Sequence, residues 1–193
     1  MGRPREFEVD VALAAALELF WRHGFEGTSL SDLTRAMGIT RPSLYATFGN
    51  KEELFRKALD RYLGTFLCFL VDALAEPDIQ RGMERLLTGC VDTQTAADHP
   101  PGCLMTNGAL VCSDDASGVR RQIQEHRQEK ERAIAARIEQ AKQEGQLPPD
   151  CDAAACTTFI TTVMTGISVQ AAFGMKREAL QAVARKAARC WSA

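Results

Sequence analysis

Apolar residues recur along this chain with the 3.6-residue period of amphipathic helices, and the strict alternation of a half-buried strand is almost absent. Leu13, Leu17, Phe20 and Trp21 form one helical face that Gly24 closes. Ser29-x-x-Asp32 reads as a capping box opening a short helix to about Met37, which Gly38 ends. Thr40 can cap the next helix, and Pro42 is tolerated in its first turn because those N–H groups lack intrahelical partners. Leu44 and Phe48 share one face of that helix. Asn50-x-x-Glu53 then predicts a long helix to about Leu74.

Beyond Pro77 the pattern predicts helices over Asp78–Thr95, Cys103–Cys112, Ser117–Glu144, Asp152–Phe173 and Arg177–Trp191, with a loop ending in His99-Pro100-Pro101-Gly102. The Ser117–Glu144 segment has one thin apolar stripe, Val119, Ile123, Ile134 and Ile138, so its many charges read as a solvated face. Ala153 to Met175 carries no charge and is long enough to span a bilayer. Its five threonines (157, 158, 161, 162, 165), Ser168 and Gln170 favour a helix buried by protein, so no membrane partner is expected. The fold class is all-α.

Composition adds little. The chain has 193 residues, 46% hydrophobic and 25% charged, with net charge −2, so nothing in the whole-chain charge suggests nucleic acid. Met1 to Asn50 carries Arg3, Arg5, Arg22, Arg35 and Arg41 and no lysine, against Glu6, Glu8, Asp10, Glu18, Glu26 and Asp32. Seven cysteines without a C-x-x-C pair and three dispersed histidines suggest neither a disulfide framework nor a metal site. The charged start lacks a secretory pattern, and Glu6 stands where a myristoylation motif needs Ser or Thr. A cytoplasmic protein is expected.

The two short helices about Gly38-Ile39 make a helix-turn-helix over about Ser29 to Phe48. With Leu44 and Phe48 in the core, the opposite side presents Arg41, Pro42, Ser43, Tyr45 and Thr47. Hydroxyls, Tyr45 and helix N-termini would then meet phosphate in place of a basic field. Lys51 opens the following helix, where the macrodipole favours anions. Lysine and dipole would converge on one phosphate.

The spacing of Phe20, Gly24-Phe25, Thr28-Ser29, Leu33, Gly38-Ile39, Ser43-Leu44-Tyr45, Phe48, Lys51-Glu52 and Leu54 resembles the DNA-binding domain of the TetR family of transcriptional regulators. The likeness runs from about Glu6 to Tyr62, roughly a third of the chain. It implies a three-helix helix-turn-helix domain over residues 6–66 and a larger ligand-binding and dimerisation domain over 67–193. It further implies a regulator, not an enzyme, that binds a palindromic double-stranded DNA operator as a homodimer and commonly represses. No cofactor is implied. Thr28 and Ser29 would meet phosphate; Thr40, Arg41, Pro42, Ser43 and Tyr45 would lie at the major groove; Lys51 would hold phosphate; Arg3 and Arg5 could reach the minor groove or backbone. The homodimer would form through about Asp152 to Trp191.

A small, mostly apolar effector is implied for a pocket among Phe66, Phe69, Leu86, Leu104, Met105, Leu110, Phe159, Val163 and Met164, each of which also suits a plain core. Gly102-Cys103-Leu104 with Cys112 resembles the sensing region of electrophile- and oxidant-responsive members. Cys103 opens a predicted helix, where N–H groups favour the thiolate, so thiol sensing stands as an alternative. A thiol-dependent enzyme is a remote third reading, unsupported by any nearby histidine, Gly-rich phosphate loop or acid–base pair.

Overall fold

A computed structural model describes residues 8–110 and 116–191. The described residues form helices without strands: α1 (Val9–His23), α2 (Leu30–Met37), α3 (Arg41–Phe48), α4 (Lys51–Phe66), α5 (Cys68–Leu74), α6 (Ile79–Thr95), α7 (Leu104–Leu110), α8 (Ser117–Gln143), α9 (Ala153–Ala172) and α10 (Arg177–Ala188), with a 3-10 turn at Arg189–Trp191. Arg3, Arg5 and Cys112 lie outside the described residues.

The expected continuous helix from Asn50 to Leu74 is instead two. Leu67 takes φ −111° and ψ 14°, which breaks the ladder between α4 and α5. Gly64 and Thr65 just before it are weak helix formers, and the break turns Leu67, Phe69 and Leu70 towards an interior cavity. The later helices start within a residue of those expected, but α10 ends at Ala188 and gives way to the 3-10 turn, three residues before the expected Trp191. Asp78 and Asp152 cap α6 and α9 by accepting from backbone N–H groups.

Two apolar cores result. The first holds Phe20, Trp21, Leu33, Leu44, Phe55 and Tyr62. The second holds Met83, Leu87, Ile134, Ile138, Ile160 and Trp191. Leu104, Val119 and Ile123 belong to the first core although they lie far beyond α4 in the chain. The α4–α5 break therefore divides the sequence more sharply than it divides the packing.

α9 passes the length and apolarity test for a membrane span. It packs instead against α6, α8 and α10, burying Ile160, Met164 and Ile167. Its hydroxyls are satisfied within the helix: Thr157 donates to the Ala153 carbonyl and Ser168 to that of Met164, so burial leaves neither hydroxyl donor unpaired.

Candidate nucleic-acid interface and the cavity behind it

Each helix of the helix-turn-helix is fixed by a local cap. Ser29 accepts from the Asp32 N–H at 3.1 Å. The Asp32 carboxylate accepts from the Ser29 hydroxyl, and hydrogen bonds from the Ser29 side chain and backbone lower its pKa. Gly38 then adopts φ 65° and ψ 28°, the left-handed conformation that ends α2 and aims the chain into α3.

On α3, Thr40 accepts from the Ser43 N–H at 3.4 Å, and the two hydroxyl oxygens lie 3.0 Å apart. Leu44 and Phe48 are fully buried, which seats the helix, while Arg41, Pro42 and Tyr45 are exposed and Ser43 is half-buried. Arg41 donates to the Ser31 hydroxyl at 2.9 Å, bridging α3 to α2. Lys57 donates to the Phe48 carbonyl at 3.1 Å and so satisfies the C-terminal end of α3, a contact that spacing within one helix does not reveal.

α4 opens with a complete capping box: Glu53 N–H to Asn50 at 2.9 Å and Asn50 N–H to the Glu53 carboxylate at 2.8 Å. The Glu53 carboxylate fills the space that a Cβ on Gly49 would need. Lys51 projects its ammonium over the Phe25 ring, 4.2 Å from the centroid. Burial lowers its pKa, and the Glu26 carboxylate partly opposes that shift. Thr28 departs from expectation. Its side chain is buried and its hydroxyl donates to the Gly24 carbonyl at 2.7 Å, closing the α1–α2 turn instead of facing solvent.

Ser29, Thr40, Arg41, Pro42 and Tyr45 are thus exposed on and beside α2 and α3, with Ser43 and Lys51 half-buried. Such an arrangement can place α3 in a major groove with helix N-termini on either flank. Residues 12–58 match the family of bacterial regulatory proteins called the tetR family. Residues 82–187 match the tetracyclin repressor-like C-terminal domain. The chain is 34% identical over 98% of its length to the HTH-type transcriptional repressor ComR of Escherichia coli (strain K12), covering 91% of that protein. The chain belongs to the TetR family. It is a DNA-binding transcriptional regulator of that family. It is also 31% identical to the repressor BdcR of the same organism, over 96% of this chain and 90% of BdcR. Among solved structures, a cysteine mutant of the TetR family regulator CifR complexed with 26-base-pair operator DNA superposes with a TM-score of 0.92, at 41% identity, over 98% of this chain and all of that one.

Behind the TetR-type DNA-binding unit lies a cavity of about 240 Å³. Phe69, Cys103, Met105 and Met164 line it, together with Gln94, Arg127 and Lys130, which sequence reasoning did not single out. Leu104 is fully buried in the first core instead. Phe66 stacks edge-on to Trp21, with ring centroids 5.0 Å apart. Val163 packs on the second core, and Phe159 is 41% exposed on the outer face of α9.

Cys103 sits at the start of α7, its carbonyl accepting from the Asn107 N–H. Its thiol is buried and receives the Tyr62 hydroxyl at 3.2 Å. Burial and the neighbouring Cys103 raise the Tyr62 pKa well above its ordinary value. Cys90, also on the cavity wall, is pushed up to about 12 by burial.

The cavity wall is tied to the DNA-binding unit. The Trp21 indole N–H of α1 donates to the Gly102 carbonyl at 2.8 Å, and Asn107 donates back to the Trp21 carbonyl at 3.4 Å. The His99 ring stacks on Trp21 at 4.5 Å, a contact the loop sequence gave no reason to expect.

Proposed function

We propose that this TetR-family chain acts in the cytoplasm as a homodimeric repressor of a palindromic operator and is released by a small, mostly apolar effector. The observation that carries the reading is α3 itself: Leu44 and Phe48 anchor it while Arg41 and Tyr45 remain exposed beside Lys51. In this reading Arg41 and Ser43 read base edges, and Tyr45, Ser29 and Lys51 hold phosphate. Thr28 supports the turn through its buried hydroxyl.

Dimerisation through α9 and α10 is supported by the large apolar side chains exposed on them, Phe159 and Val183, and on the turn between them, Phe173 and Met175. The effector would enter the cavity and move the Gly102–Cys103 wall. That wall is hydrogen-bonded to Trp21 of α1, the helix that packs on α2 and α4. A displacement there changes the angle between the two α3 helices of a dimer.

A gel-shift with DNA upstream of the protein's own gene tests this. Wild type should bind as a dimer, and Arg41→Ala and Tyr45→Ala should weaken binding without changing the circular dichroism spectrum. Unchanged affinity in both variants would refute the assignment of α3.

Cys103 on the cavity wall supports a second reading, release by an electrophile or oxidant that reaches its thiol. Operator release by a quinone or hypochlorite should then vanish in Cys103→Ser; equal release by both proteins would eliminate it.

A further inference from the structure

The polar groups of the cavity specify more than an apolar guest. Gln94 on α6 is 2% exposed, and its side-chain oxygen has no hydrogen-bond partner. The nitrogen end of the amide faces the Tyr62 hydroxyl, which is itself donated to Cys103. Turning the amide over would orphan its nitrogen instead, so in either orientation one polar end lacks a partner on a side chain that lines the cavity. A hydroxyl serves both cases, being donor and acceptor.

The α9 wall asks for the same group. Thr161, Thr165 and Ser168 donate their hydroxyls to the carbonyls of Thr157, Thr161 and Met164 at 2.9, 2.8 and 2.9 Å. With those protons committed, the hydroxyls can offer a guest acceptor lone pairs, although Ser168 is also hydrogen-bonded to the Cys90 thiol.

The α8 wall asks for an anion. Arg127 and Lys130 both line the cavity. Arg127 is paired with Glu131 at 2.9 Å, whereas Lys130 is paired with no carboxylate of the described residues. Its charge is felt at the buried Cys90 thiol. Leu67, Phe69, Leu70, Met105 and Ile123 supply an apolar lining for the rest of the guest. An apolar cavity of about 150 Å³ holds one benzene, so 240 Å³ accommodates a guest of about ten heavy atoms.

We infer that the effector is a hydroxylated carboxylic acid of about ten heavy atoms, its carboxylate on Lys130 and its hydroxyl on Gln94. This rests on the effector-binding reading above and narrows it to one chemical class. The anion also explains why the charged face of α8 turns a lysine inward.

The probes are 4-hydroxybenzoate and 8-hydroxyoctanoate. Each is titrated calorimetrically into the full-length protein beside its methyl ester and its parent acid lacking the hydroxyl. At least one hydroxy acid should bind tenfold or more tightly than both of its analogues. Lys130→Met should abolish the preference over the ester, and Gln94→Leu the preference over the parent acid. Because Gln94 is buried, Gln94→Glu, which keeps the volume, is run beside it and should weaken acid binding by charge repulsion.

Esters or parent acids that bind as well as the hydroxy acids would overturn the class. So would a failure of both hydroxy acids to bind. The effector reading itself falls separately, only if a panel of neutral apolar compounds also fails to release bound operator.

Discussion

Replacing Lys51 by methionine removes a charge while keeping most of the stem, and the structure fixes what should follow. The ammonium sits at the N-terminus of α4, 4.2 Å from the Phe25 ring centroid. Removing a cation from a helix N-terminus relieves about 0.3–1 kcal/mol. Losing this half-buried cation–π contact costs about 1 kcal/mol. The two offset, so the melting temperature should move by less than about 2 °C.

DNA affinity should respond quite differently. A hydrogen bond to a charged group contributes about 1.5 kcal/mol or more. Two such contacts per dimer therefore amount to about 3 kcal/mol, roughly a hundredfold in Kd. Each phosphate contact also adds about 0.9 to the slope of log K against log salt, so the slope should fall by about 1.8. Fluorescence anisotropy on an operator duplex and on a scrambled duplex, at several salt concentrations, reads both quantities. The loss should be equal on the two duplexes. An unchanged salt slope, or a loss confined to the operator, would refute the phosphate assignment for Lys51.

Other residues give independent tests. Leu44→Ala should destabilise the protein by about 2–5 kcal/mol in urea unfolding, because the site is fully buried beneath α3. Gly38→Ala should cost about 1 kcal/mol or more, since φ is 65° there and alanine resists that conformation. The Cys90 thiol, pushed up to about 12, ionises in the unfolded chain first; stability should fall as pH rises from about 9 towards 12. Cys90→Ala should remove up to about 1.4 kcal/mol per pH unit from that alkaline slope, measured by urea unfolding at pH 8 to 11. Phe173→Asp with Val183→Asp should convert the dimer to monomer in sedimentation velocity, since both side chains are exposed on the chain.

The helix-turn-helix was readable because its spacing rules are local. Ser29, Gly38, Thr40, Pro42 and Asn50 each act within one turn of their own helix, and the two anchors Leu44 and Phe48 follow helical period. Long-range features were not readable in this way. The α8 charges look like a solvated face because periodicity defines one apolar stripe, yet Arg127 and Lys130 border a cavity closed by α5, α6 and α9. Phe159 matches the apolar character of its neighbours on α9 but faces outward, a rotation that only the packing of α6 and α8 decides. Thr28 is polar and adjacent to a cap, and nothing in the local sequence shows that its hydroxyl turns back to Gly24. The break at Leu67 follows the weak helix formers Gly64 and Thr65, which the apolar period running on to Leu74 conceals.

The central claim is that two copies of α3 read DNA about a two-fold axis. Selecting bound duplexes from a random pool with the purified protein tests it most directly. The account predicts enrichment of one palindromic motif whose half-sites lose definition when Arg41 is replaced by alanine. Recovery of no motif, or of an asymmetric site unaffected by that substitution, would contradict it.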